Sequence, residues 1–164
     1  MIDVVVEDIA AVALLDHVVH NLADMRPALK QAVVEVYART REHMDAWGQD
    51  ASSMLFAWPP LAASTVASKE AANYPDPTRP LYATGDLYDS ATSPDGPYSF
   101  QIITQHQAVV GIDWDEDGWQ IPYLHQYGTT RGGGSLPARP IFIIDDRLEG
   151  QVKQILGDAI IRIR

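Results

Sequence analysis

Apolar side chains at Leu15, Val18, Leu22, Met25, Leu29, Ala32 and Val36 follow alternating three- and four-residue steps. That spacing lays a continuous apolar stripe along one face of a helix. A second set at helical spacing, Leu148, Val152, Ile155, Leu156, Ala159 and Ile160, lies near the other end of the chain. Between them stand short runs rich in β-formers: Tyr98 to Gln105, Ala108 to Trp114, Trp119 to His125 and Pro140 to Ile144. Helices come first, then a strand meander, then a helix. That order implies an α+β fold with an antiparallel sheet, N-terminal helices packed on it and a C-terminal helix.

The 164 residues suit one domain. Its helical part is expected over about 8–72, the strand meander over about 81–144 and the last helix over about 145–161. Ile2 to Val6 reads as a short strand, and Asp8 as the cap of a helix from Ile9 to about Leu22. Asp24 is a second candidate cap, with Pro27 in the first turn beyond it, where proline is tolerated. The helix it opens runs to about Trp47. Because the stripe continues through the Asp24–Pro27 region, the two helices can also be one bent helix. The stripe itself is either core or a surface for a neighbouring subunit. Gly48 to Ser53 reads as a loop, Ser64 to Ala72 as a short helix, and NYPDPTRP (73–80) as irregular. Thr84-Gly85-Asp86-Leu87 is a turn into an apolar–polar segment. Tyr127 to Ala138 holds three consecutive glycines and must be mobile or adopt unusual dihedrals.

Charge narrows the function. There are 12 Lys and Arg against 22 Asp and Glu, a net charge of −10. A nucleic-acid binder needs cations to neutralise phosphates, and an anionic membrane surface asks the same. With no cysteine there is no disulfide framework and no thiolate chemistry. The N-terminal MIDVVVEDIA carries acids where a signal peptide wants Lys or Arg. No apolar run approaches the ~20 residues that span a bilayer. No P-loop, G-x-G-x-x-G or G-x-S-x-G occurs.

The stretch DWDEDGW (113–119) starts like a calcium loop, with Asp113, Asp115 and Asp117 at alternate positions and Gly118 next. A competent loop needs a bidentate Glu at its twelfth position, and that position is Leu124. The better reading is a hairpin turning at Asp115-Glu116-Asp117-Gly118, with Trp114 and Trp119 facing one another near the turn. His17 and His20 are three apart on a helix, but no H-E-x-x-H pattern makes them metal ligands. His125 reads as a packed, hydrogen-bonded histidine. Residue chemistry thus points to no catalytic group, no metal and no cofactor.

Several segments, in order, resemble the virion morphogenesis or tail completion family of tailed bacteriophages. They are DMRPALKQAVVEVYARTREHM from Asp24; WPPLAASTVASK, with Trp58 and Leu61; LYATGDLYDSAT, with Thr84 and Gly85; VVG at 109–111 followed by YLHQYG, with His125, Gln126 and Gly128; and LPARPIFIID, with Pro137, Arg139 and Pro140. The acidic hairpin between Gly111 and Tyr123 is an elaboration of this member.

The resemblance implies a structural protein and not an enzyme. Such proteins form homo-oligomeric rings, six-fold or twelve-fold, at the neck or the head-proximal end of the tail, and help tails join filled heads. Implied partners are copies of the chain and neighbouring connector, terminator or tail tube proteins. DNA passes through the lumen without specific binding, as a −10 ring favours. The implied location is the virion, reached from the host cytoplasm, with no membrane. The matched residues, together with Arg131 in the glycine-rich loop, are the candidate subunit or partner contacts. Arg139 is expected to find a carboxylate or carbonyl partner. Two alternatives remain: a tail terminator capping the tail tube and, more remotely, a small metal-assisted hydrolase using Asp113–Asp117 and a histidine.

Overall fold

A computed structural model describes residues 9–47, 57–130 and 135–161. The expected strand at 2–6, the cap at Asp8, the loop at 48–53 and Arg131 lie outside these residues. The rest is α+β. Helices α1 (Ile9–Ala23), α2 (Arg26–Asp45), α3 (Ala63–Ala71) and α4 (Asp86–Thr92) precede strands β1 (Ser99–Ile103), β2 (Ala108–Ile112), β3 (Asp115–Glu116) and β4 (Trp119–Gln120). Helices α5 (Ile121–Tyr127) and α6 (Asp146–Ile161) follow. No helix among the described residues is long and apolar enough to cross a membrane.

α2 is the central element, contacting α4, α6 and both strands of the larger ribbon. It buries Ala28, Ala32, Val33, Tyr37, Thr40 and Met44. α6 runs antiparallel to it, stitched by Arg39 to Asp145 at 2.7 Å, Arg147 to Glu42 at 2.7 Å, and Gln151 to Glu35 at 3.3 Å. Asp145 also caps α6, accepting the Leu148 amide at 2.9 Å. A carboxylate there answers both an orphan N–H and the helix dipole.

α1 and α2 are separate helices broken at Asp24–Met25. Asp24 is not the cap in the strict sense, since Met25 holds that position without a side-chain bond. Asp24 instead accepts the Arg26 amide at 3.1 Å and grips the Arg26 guanidinium. The apolar stripe divides at this break. Met25 and Ala32 are buried, whereas Leu15 and Leu22 on α1 are exposed. The C-terminal end of α1 is tied down by Asn21 Nδ2 donating to Ile160 O (3.0 Å) and by a His106 ring nitrogen on Leu22 O (2.9 Å).

The strands form two separate ribbons. β1 and β2 pair antiparallel from Ser99↔Ile112 to Ile103↔Ala108. β3 and β4 pair as Asp115↔Gln120 and Glu116↔Trp119. Asp117 (φ 53°) and Gly118 (φ 80°) make a two-residue turn with both φ positive, which Asp-Gly tolerates. The turn thus sits one residue later than expected, and Trp114 and Trp119 do not face one another. Trp119 is opposite Glu116, while Trp114 stacks on Tyr98 with ring centroids 4.4 Å apart.

Two expected strands are corrected. Trp119 to His125 is a strand for two residues only and then becomes α5. Pro122 has no N–H to give a ladder and is favoured in the first turn of a helix. Pro140 to Ile144 forms no strand, because side chains take up its backbone groups, as described next.

Candidate functional site

The central hydrophobic cluster is Met44, Trp58, Leu87, Ala91 and Ile141, with Leu81, Tyr88, Ile112, Trp114 and Phe142 around it. Against it a polar clasp closes on the chain segment from Arg139 to Phe142. Pro140 O accepts from Trp58 Nε1 at 2.8 Å and lies 3.0 Å from His43 Nε2. A carbonyl only accepts, so His43 carries its proton on Nε2. The His43 and Trp58 rings meet edge to face, 5.4 Å between centroids.

Arg139 is 4% exposed. Its Nε donates to Pro59 O and its Nη2 to Pro60 O, each at 3.0 Å. Its backbone N–H donates to His125 O at 2.7 Å. The partners are carbonyls of the same chain. Prolines supply them for a physical reason: Pro59 and Pro60 have no N–H, and the extended backbone of a Pro-Pro pair turns both carbonyls outward with no ladder to join.

Gln126 acts as a substitute strand edge. Its Oε1 accepts from the amides of Ile141 (2.7 Å) and Phe142 (3.1 Å), and its Nε2 donates to Phe142 O (3.0 Å). Gly128 ends α5 at φ 70°, and a Cβ there would stand 2.7 Å from Ala138 N and Leu136 O. Only glycine fits so close an approach. Beyond it, Thr129 and Leu136 exchange backbone bonds of 2.9 and 2.8 Å, closing the base of the glycine-rich loop.

His125 is half-buried, and no bond to its Nδ1 is found among the described residues. Burial first, then the Arg139 guanidinium, pushes its pKa down to about 4. Between pH 4 and the unfolded value of about 6.5 the unfolded chain binds the extra proton. Stability is therefore full above about 6.5 and is lost as pH falls toward 4. The expected loss from this group is about 2 kcal/mol at pH 5 relative to neutral pH. Denaturant unfolding at both pH values, with and without His125→Asn, reads it. An equal pH dependence in both proteins would remove His125 as its source.

The residues named from sequence therefore divide. Trp58, His125, Gln126, Gly128, Arg139 and Pro140 come together. Thr84 and Gly85 do not join them. Gly85, at φ 103°, opens α4 and so delivers Leu87 to the core, and Thr84 Oγ1 donates to Asp86 Oδ2 at 2.8 Å. Leu61 is half-buried on the way to α3, and Pro137 is exposed at the clasp's edge. Sequence reasoning missed His43 and the Pro59 and Pro60 carbonyls. His43 was findable, since it falls seven residues after Val36, on the continuation of the same stripe.

Outside the clasp, His17, His20, Asp24, Glu35 and Asp158 line a cleft of 1180 Å³ between α1, α2 and α6. Among the described residues no three His, Asp or Glu side chains form a group that could hold a metal ion. The outer side of α5 presents Tyr123 and Tyr127, rings 4.7 Å apart, beside Phe142 and Ile144. Compared with family models, curated proteins and solved structures, the chain matches none.

Proposed function

We propose that this chain is a structural virion protein of a tailed bacteriophage. It acts as a tail completion or neck protein that forms a ring at the head–tail junction and lets tails join heads. The observation that carries the reading is the convergence of the matched motifs. The W-P-P, H-Q-x-G and P-A-R-P segments lie up to 82 residues apart in the Trp58–Pro140 pair. They resemble the family's motifs one by one, and in space they build one clasp. A motif set kept for packing would make such a unit. Its side chains bond backbone carbonyls and amides, which fixes a scaffold, and a scaffold is what an assembly protein requires. The −10 charge supports passage of DNA through a ring without binding.

The test is complementation of a phage lacking this gene. Filled heads and separate tails of normal length are expected without it, and joined particles when it is supplied. Tails of uncontrolled length would favour the terminator, because an uncapped tube goes on polymerising. Normal infectious particles without the protein would overturn both.

A further inference from the structure

The larger ribbon is two strands wide, so β1 is paired on one side only. β2 is half-buried along its length and packs against α2 and α4. β1 is exposed at Phe100, Gln101 and Ile102. The ladder sets which way its backbone groups point. The Asp113 amide donates to Tyr98 O and the Thr104 amide to Gln107 O, each at 2.8 Å. Phe100 and Ile102 are in step with Tyr98 and Thr104, so their N–H and C=O groups turn to β2. Those of Ser99, Gln101 and Ile103 turn outward. Among the described residues, no backbone bond reaches the Gln101 or Ile103 amide from that side. The open edge is closed at both ends. The Ser99 amide donates to Gly96 O at 3.1 Å, and Gln105 O accepts from the Met25 amide at 2.9 Å.

Folded proteins guard such an edge with charge or proline. β1 carries neither, and from Gly96 to Ile112 the sequence has no Asp, Glu, Lys or Arg, in a chain of net charge −10. A second copy meets no like charge along this stretch. The edge also matches itself. Laid antiparallel with Gln101 opposite Gln101, two copies bond each Gln101 amide to the other Gln101 O and each Ile103 amide to the other Ser99 O. The donor already used, the Ser99 amide, is not needed. Moving the register one pair toward the hairpin turn sets Ser99 of the second copy where Met25 stands. Moving it the other way sets Pro97, in the turn before β1, opposite Ile103. With Gln101 at the centre, Phe100 of each copy is opposite Ile102 of the other. They are 38% and 56% exposed, and an aromatic ring against a β-branched chain is a favourable cross-strand pair.

We propose that β1 pairs with β1 of a second copy, antiparallel about Gln101, and joins two ribbons into one four-stranded sheet. The occupant of the edge is this chain because its backbone groups, its side chains and its lack of charge all match under one two-fold rotation. Such a contact is isologous and closes at two copies. It goes beyond the ring proposed above and does not rest on it.

Sedimentation velocity over a concentration series tests it on the full chain. The wild type is expected as a dimer, or as an even multiple of one where a ring also forms. Gln101→Pro removes an edge donor and no ladder bond, because that N–H points away from β2. It is expected to keep the wild-type circular dichroism and to halve the number of copies in the particle. Gln101→Lys and Gln101→Glu each set like charges opposite one another at the axis and weaken pairing several-fold, and the two mixed pair more tightly than either alone. The chain has no cysteine, so Gln101→Cys reads the register directly. Opposed Cα atoms in a hydrogen-bonded pair lie about 5.5 Å apart, within reach of a disulfide, and this variant is expected to cross-link under mild oxidation. Thr104→Cys, roughly 20 Å from its counterpart, is not. A monomeric wild type overturns the proposal. So does pairing unchanged in Gln101→Pro, a charged mixture no tighter than its parts, or Thr104→Cys cross-linking as fast as Gln101→Cys. If the proline variant misfolds, the cysteine pair decides. A monomeric wild type that still restores head–tail joining removes this contact and leaves the proposed function standing. A dimer paired at Gln101 but dispensable for joining does the reverse.

Discussion

Replacing Trp58 with alanine lowers stability by about 4 kcal/mol. The indole is 4% exposed and packs in the cluster with Met44, Leu87, Ala91 and Ile141. Removing it opens a large cavity that a helix end and a proline segment on either side cannot collapse to fill. It also takes away the Nε1–H donor to Pro140 O, leaving His43 as the partner in the clasp. Trp58→Phe keeps most of the ring and separates the two effects, with an expected cost near 1 kcal/mol beyond the lost volume. Denaturant unfolding measures both. An alanine variant within 1 kcal/mol of wild type would mean that the core does not close on this side chain.

Arg139→Ala is the second large effect, about 3 kcal/mol. The guanidinium holds Pro59 O and Pro60 O at once, from a site almost closed to water. Without it, two carbonyls lose their donors, and the Trp58–Pro60 segment is no longer held to the segment from Arg139 to Phe142. Arg139→Lys recovers little, because a single ammonium cannot reproduce two parallel N–H donors in one plane. An exposed arginine that merely sits among prolines would cost less than about 0.5 kcal/mol. A lysine variant as stable as wild type would contradict the two-carbonyl geometry.

Period was a sound guide wherever local pattern and tertiary context agree. α2 and α6 follow from helical spacing, β1 and β2 from β-forming runs, and the hairpin from Asp-Gly. The gathering of Trp58, Gln126 and Arg139 into one place was not legible, since no local rule links segments so far apart.

Other features were hidden for specific reasons. WQIPYLH has the apolar density of a strand, but Pro122 denies it the ladder and starts α5. PIFII has the composition of a buried strand, yet Gln126, His43 and Trp58 provide its hydrogen bonds, so it pairs with side chains. α4 has only seven residues, and its placement depends on Gly85 adopting φ 103°, a tertiary matter. Along the stripe, spacing alone could not tell core from surface. Met25 and Ala32 are buried, while Leu15 and Leu22 on α1 are exposed.

The acidic hairpin also separates pattern from role. Three alternating aspartates suggested ligands. In the fold Asp115 instead accepts the Gly118 amide at 3.0 Å and a Gln120 amide hydrogen at 3.2 Å, holding its own turn. Glu116 and Asp117 remain exposed.

The most direct measurement is electron microscopy of the intact virion with this chain located in the density. A closed ring of copies at the head–tail junction is the expected result. The chain elsewhere in the particle, or absent from it, would contradict the proposed function.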